Sequence, residues 1–285
     1  MTSLDKINET SLAKICFFNK SFDKFVKELD FYNIAFAANG VFVVLKNDFG
    51  VSIGKLKNIK YSNSGLKLLD EALWHDMPKP KLDVFIKIIE IFKYVYDKIK
   101  SEICVNVYFN KQKETFHINI EDQIVSGGRA NYKYDEKFEM SSDYVRYLQI
   151  HSHHTMGAGF SSIDDRDEES TALCYYGVVG KLNENSSFYN VESKFRIWNG
   201  IKFVDIKFVD VFDLGKSTVK LEETDLCRLN KIIENSKKEN AKTLVPIEDK
   251  LRSIGLPVIE NWMGHDMNTE SSFTDEFNEL LGKII

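Results

Sequence analysis

Cysteine and proline are scarce, at four residues each in a chain of 285, and no apolar stretch reaches the roughly 18 residues a membrane-spanning helix needs. The opening segment, MTSLDKINETSLAKICFFNK, lacks the apolar run of a secretory signal, so the expectation is a cytoplasmic protein with no membrane partner. Cys16, Cys104, Cys174 and Cys227 fall at no paired short spacing and read as reduced thiols. Basic charge is not concentrated either. Net charge is −5 with Lys and Arg scattered, and binding to nucleic acid needs a positive stripe, so none is expected as a partner. What the chain does have is material for a core: 21 Phe, 12 Tyr and 43% hydrophobic residues overall.

Residues 1–30 read as a polar, partly helical lead-in. FAANGVFVVLKNDFGVSIGKL reads as two strands around Asn47 and Asp48. HDMPKPK is a break, and beyond it Phe85, Ile88, Ile89, Phe92, Val95, Tyr96 and Ile99 share one helical face, which predicts an amphipathic helix over 82–101. EICVNVYFN and ETFHINIEDQIV follow as strands. SGGRANYKYDEKFEMSSD reads as a long loop, flexible around Gly127-Gly128, and VRYLQIHSHH as a strand. DDRDEEST has the character of a short helix. ALCYYGVVGKL, ESKFRIWNG and IKFVDIKFVDVFD complete the strands, and LEETDLCRLNKIIENSKKEN is a helix ahead of a loop-rich tail. This order predicts an α/β (α+β) fold, a mixed sheet with flanking helices. Three segments are expected: residues 1–75 as an N-terminal extension, 76–215 as the main domain and 216–285 as a C-terminal extension. The first either adds strands to the sheet or forms a small docking module.

The chemistry concentrates in QIHSHHTMGAGFSSIDDRDEE, where three of the six histidines fall together. Strand alternation would project His151 and His153 to one side. Two neutral imidazoles suit a first-row metal, zinc above all. Asp164 follows a TMGAGF loop able to turn the chain back, at the start of the short helix, with Ser161 as its N-cap. Two histidines and a carboxylate leave a fourth tetrahedral position open, as in catalytic rather than structural zinc sites.

His151-Ser152-His153, seven residues, Ser161, two residues and Asp164 together resemble the JAMM signature of JAB/MPN-domain zinc metalloproteases. By order of elements the likeness extends over residues 80 to 213. The nearest resemblance is to bacterial and phage JAB-domain proteins that are similar to deubiquitinating enzymes, although Gly159 stands where an aromatic is common. The resemblance implies a cytidine-deaminase-like mixed sheet and one Zn2+ held by His151, His153 and Asp164. It implies Glu102 as the general base, Ser161 as the hydrogen-bond donor to a developing oxyanion, and a ubiquitin-like protein or its conjugates as substrate. Glu90 also fits the spacing of the base but falls mid-helix, so Glu102 is preferred. The insertions with which eukaryotic members grip ubiquitin are not recognisable. Two other outcomes stay open: a zinc hydrolase of another peptide or amide, such as a phage protein, and a non-catalytic MPN scaffold.

Other features read more plainly. His154 would face away from the metal. Cys104 and Cys174 are expected in the core, SGGRANY as an ordinary connection, His265 as a turn residue, and the helix near 220–238 as packed on the main domain.

Overall fold

The run GVFVVLK is apolar up to its final lysine because the strand it forms is covered on both faces. A computed structural model describes residues 13–61, 65–126, 129–133, 135–171, 173–183, 190–214 and 221–253. In it, β1 (Lys14–Phe17), β2 (Tyr32–Ala37), β3 (Gly40–Lys46), β4 (Val51–Lys57) and β5 (Ala72–Trp74) make a five-stranded sheet in that order. Alternate side chains of β3 leave on opposite sides. Val43 and Leu45 enter the main core, whereas Phe42 and Val44 enter a second core with Phe25 of helix α1 (Phe22–Lys27). Burial on both faces erases the polar alternation of a half-exposed strand. β1 pairs parallel with β2 and the other pairs are antiparallel, so the sheet is mixed.

The chain then enters helix α2 (Leu82–Ile99), whose Phe85, Ile88, Ile89, Phe92 and Val95 are buried on the predicted face. Lys100 ends it in a left-handed conformation (φ 49), its N–H donating to the Tyr96 carbonyl. A second mixed sheet follows. It comprises β6 (Cys104–Asn110), β7 (Thr115–Asn119), β10 (Tyr144–Ser152), β11 (Tyr175–Gly180), β12 (Glu192–Trp198) and β13 (Phe203–Ile206), ordered β13-β12-β11-β10-β6-β7. β10 and β11 run parallel, and every other neighbour is antiparallel. The main core joins this sheet, α2 and the inner face of the first sheet. The architecture is mixed α/β of the α+β type.

Four expectations need correction. ETFHINIEDQIV, read as one strand, divides at Ile120-Glu121 into β7 of the six-stranded sheet and a strand of a separate two-stranded sheet. The segment read as a long loop contains β9 (Arg129–Lys133), paired with β8 (Asp122–Ser126), and a helical turn α3 (Glu136–Glu139); Gly127 and Gly128 lie outside the described residues. Polar residues hid this ribbon, whose pairing is a matter of backbone hydrogen bonds. IKFVDIKFVDVFD is not one strand: after β13 it becomes α5 (Phe208–Val211). A helical turn puts Phe208 and Phe212 on one side, their ring centroids 5.1 Å apart, where both meet Phe85 and Phe195. Finally, helix α6 (Glu223–Ser253) runs on into the expected loop-rich tail.

The chain divides into two compact units, Met1–Lys237 and Lys238–Ile285. In the first, Leu229, Ile232 and Ile233 of α6 are buried in the main core, each side chain contributing about 2 kcal/mol. The Ser236 hydroxyl accepts from the Val125 N–H at 3.0 Å. His265 and the expected boundary at Gly215 lie outside the described residues.

Candidate metal centre

β10 is buried between β6 and β11 and delivers His151 at its end. The strand stops at Ser152, one residue earlier than strand alternation requires for His153. His153 is held instead by its own N–H, which donates to the Val179 carbonyl at 2.7 Å, and the chain turns at His154 with φ 32. The two imidazoles still converge, with Nε2 of His151 3.1 Å from Nε2 of His153. His154 lies away from this pair, its ring centroid 6.3 Å from that of Tyr96 on α2.

The loop beyond is pinned from below. A Cβ on Gly180 would lie 2.3 Å from the Met156 carbonyl oxygen and 2.5 Å from the Ala158 nitrogen, so only glycine lets the loop lie on the end of β11. Lys181 donates its N–H to the same Met156 oxygen at 2.7 Å. Glu192, at the start of β12, accepts from the Ala158 N–H at 3.2 Å.

Helix α4 (Ser162–Ser170) brings the third group. Ser161 caps it as predicted, in a reciprocal capping box: its hydroxyl accepts from the Asp164 N–H, and Asp164 Oδ2 accepts from the Ser161 N–H at 2.6 Å. The Ser161 hydroxyl also donates to that Oδ2, at 2.7 Å. With Oδ2 engaged, Oδ1 lies 3.5 Å from Nε2 of His151. One donor atom each from His151, His153 and Asp164 lies within 4.8 Å of the others, the one such cluster among the described residues. Tetrahedral zinc with bonds near 2.05 Å has ligands about 3.3 Å apart, and the 3.1 and 3.5 Å separations bracket that value. Two of the three separations therefore fit a metal ion of that size, and the third lies within 4.8 Å.

Electrostatics favour the ligating forms. Burial depresses the pKa of His151 well below the usual histidine range, and His153 and Arg196 add to this against the pull of Asp164. Burial alone would raise Asp164, but His151 and the two Ser161 donors outweigh it and hold the carboxyl below its ordinary value. Neutral imidazole and ionised carboxylate are what a metal requires.

Glu102 was expected to open β6, but the strand begins at Cys104. Ser152 donates its N–H to Ile103 O at 3.0 Å, and the Ile103 N–H donates to the Ser152 hydroxyl at 3.1 Å. Glu102 lies one residue before Ile103, and the charge of Asp164 reaches its carboxyl. Glu102 is 6% exposed, and burial, with Asp164's charge adding, pushes its pKa up to about 7. Glu90 ion-pairs with Lys93 on α2, 3.7 Å away. Cys104 and Cys174 are buried as expected.

One contributor escaped the sequence reading. Arg196 of β12, 6% exposed, donates from Nε to Glu168 at 2.7 Å and pairs through Nη1 with Asp165, also at 2.7 Å. Its guanidinium lies 3.7 Å from the ring centre of Phe160 and 3.8 Å from that of Phe203. A charge in the otherwise apolar FRIW was the available signal, since an arginine on a buried strand face needs partners.

The chain matches no protein-family model and no curated protein. None of the described helices is long and apolar enough to cross a membrane.

Proposed function

We propose that the chain is a JAMM-type zinc metallopeptidase of the JAB/MPN fold, cleaving peptide or isopeptide bonds at the C-terminus of a ubiquitin-like modifier. The observation that carries this reading is the convergence of His151, His153 and Asp164 within 4.8 Å, beside a buried carboxyl whose pKa is close to 7. His151 and His153 would present Nε2 to the ion. A proton on Nδ1 of His153, directed at the Gly157 carbonyl 3.4 Å away, fixes that tautomer. Asp164 would present Oδ1 while Ser161 retains Oδ2. A zinc ion held there would supply Lewis acidity toward the scissile carbonyl and acidify a water molecule. Glu102 is the general base: a buried carboxyl, raised by burial and brought down again by a bound cation, can take the water's proton and return it to the leaving amine. Ser161 would turn its hydroxyl hydrogen from Asp164 to the developing oxyanion, a contribution of roughly 3 kcal/mol in comparable sites. The substrate class rests on the sequence resemblance, and an extended tail laid along a sheet edge is the binding mode it suggests.

The test is zinc content, with cleavage of a C-terminal ubiquitin-like fusion by wild type and Glu102→Gln. One zinc per chain and loss of cleavage in the variant are expected; absence of zinc, or equal cleavage, overturns the mechanism. Turnover of other peptides or small amides, with the fusion left intact, would retain the hydrolase and reassign its substrate.

A further inference from the structure

Asp164 and Ser161 stand on a short helix that follows a loop, so the metal-binding distance depends on what ties that arm to the sheet. The far end of α4 is tied by Tyr176 of β11, whose hydroxyl donates to the Thr171 hydroxyl at 2.9 Å. Tyr176 and Arg196 are register partners on neighbouring strands, so both project to the same side of the sheet. Arg196 then grips the arm at three points: Glu168 at 2.7 Å, Asp165 at 2.7 Å, and the face of Phe160, the residue just before the cap. The ring of Phe160 is in turn 6.4 Å from that of His151. The ring of Phe203 is a second contact of the guanidinium, its centre 3.8 Å away.

We propose that Arg196 is a positioning residue that sets the distance of the Ser161–Asp164 arm from His151 and thereby the affinity of the site for its metal. The proposal rests on the reading of His151, His153 and Asp164 as ligands. Buried ion pairs add little net stability, and Nη2 of Arg196 is buried with no hydrogen-bond partner. A planar cation held by two rings and two carboxylates does supply direction, since its donors form a rigid fork. Lysine keeps the charge and loses the plane.

The experiment uses the full chain. Zn2+ affinity is measured by competition with a chromophoric chelator, and the visible spectrum of the Co2+ form is recorded for wild type, Arg196→Lys, Phe203→Leu and Tyr108→Phe. Tyr108 serves as the control because its hydroxyl donates to Glu139, 2.6 Å away, toward the other end of β6 from Glu102. Arg196→Lys is expected to weaken zinc binding roughly 10- to 100-fold, as outer partners of metal ligands do, and to shift the cobalt bands. Phe203→Leu should move both readouts the same way by less, and it stands in if the lysine variant does not fold. Tyr108→Phe should bind zinc as wild type does at whatever stability it has. Wild-type affinity and an unchanged cobalt spectrum in both Arg196→Lys and Phe203→Leu would overturn the role of Arg196 while leaving the metal site intact. Failure of wild type to bind either ion would remove the site itself.

Discussion

Replacing Glu102 by Gln should stabilise the metal-free protein, relative to wild type, increasingly as pH rises from about 5 to about 8. Burial raises the carboxyl from 4.5 to about 7 in the folded chain. The folded state therefore holds the proton more tightly than the unfolded state. The stability this contributes is complete below the unfolded value and lost as pH passes the folded one. At 1.36 kcal/mol per pH unit the interval corresponds to about 3 kcal/mol. Relaxation around the buried charge brings the expected effect to about 1–3 kcal/mol, or roughly 3–10 °C in Tm for a chain of this size. Glutamine has no proton to lose, so the gap between the variants, not either curve alone, carries the effect. His151 and Asp164 titrate in both proteins and drop out of the difference to first order. Calorimetry in the presence of a chelator at several pH values gives that gap directly. Excess zinc should shrink it, because a nearby cation favours the ionised carboxylate. A gap that stays constant across this range would refute the assignment of Glu102 as a buried carboxyl titrating near neutrality.

Three further outcomes are expected. Gly180→Ala should cost about 1–3 kcal/mol, because a backbone carbonyl and not a movable side chain occupies the new methyl's place, and it should weaken zinc loading by displacing the loop after His153; unchanged denaturant midpoint and metal content would contradict this. Ser161→Ala should destabilise α4 by about 1 kcal/mol through the lost cap and lower kcat by roughly 100-fold or more if the hydroxyl meets the oxyanion, a split readable from unfolding curves and steady-state rates. Stripping the metal should lower the Tm reversibly, zinc at about 100-fold over its Kd restoring roughly 2.7 kcal/mol, whereas a melting curve indifferent to chelator would argue against a resident ion.

Much of the fold was legible because its signals are local. The helix over 82–101 appeared from the spacing of Phe85, Ile88, Ile89, Phe92 and Val95, and the structure has it at Leu82–Ile99. Ser161 was readable as a cap because capping is settled within three residues. The His151, His153 and Asp164 cluster was readable because its members fall within fourteen residues of one another, although His153 lies past the end of the strand and is fixed by a hydrogen bond to Val179. What stayed hidden depends on partners distant in the chain. Phe208 reads as strand by alternation, and only contact with Phe85 and Phe195 makes a helical turn the better arrangement. Arg196 finds Glu168 twenty-eight residues away in the chain. The double burial of β3 likewise requires two cores that no local window contains.

The central claim is a single metal ion held by two imidazoles and one carboxylate. X-ray absorption at the zinc edge of the purified full chain tests it most directly. The account predicts one zinc per chain in a nitrogen and oxygen shell at about 2.0–2.1 Å with the multiple scattering of two histidine rings. A protein that carries no zinc after exposure to it, or a shell containing sulfur at about 2.3 Å, would contradict it.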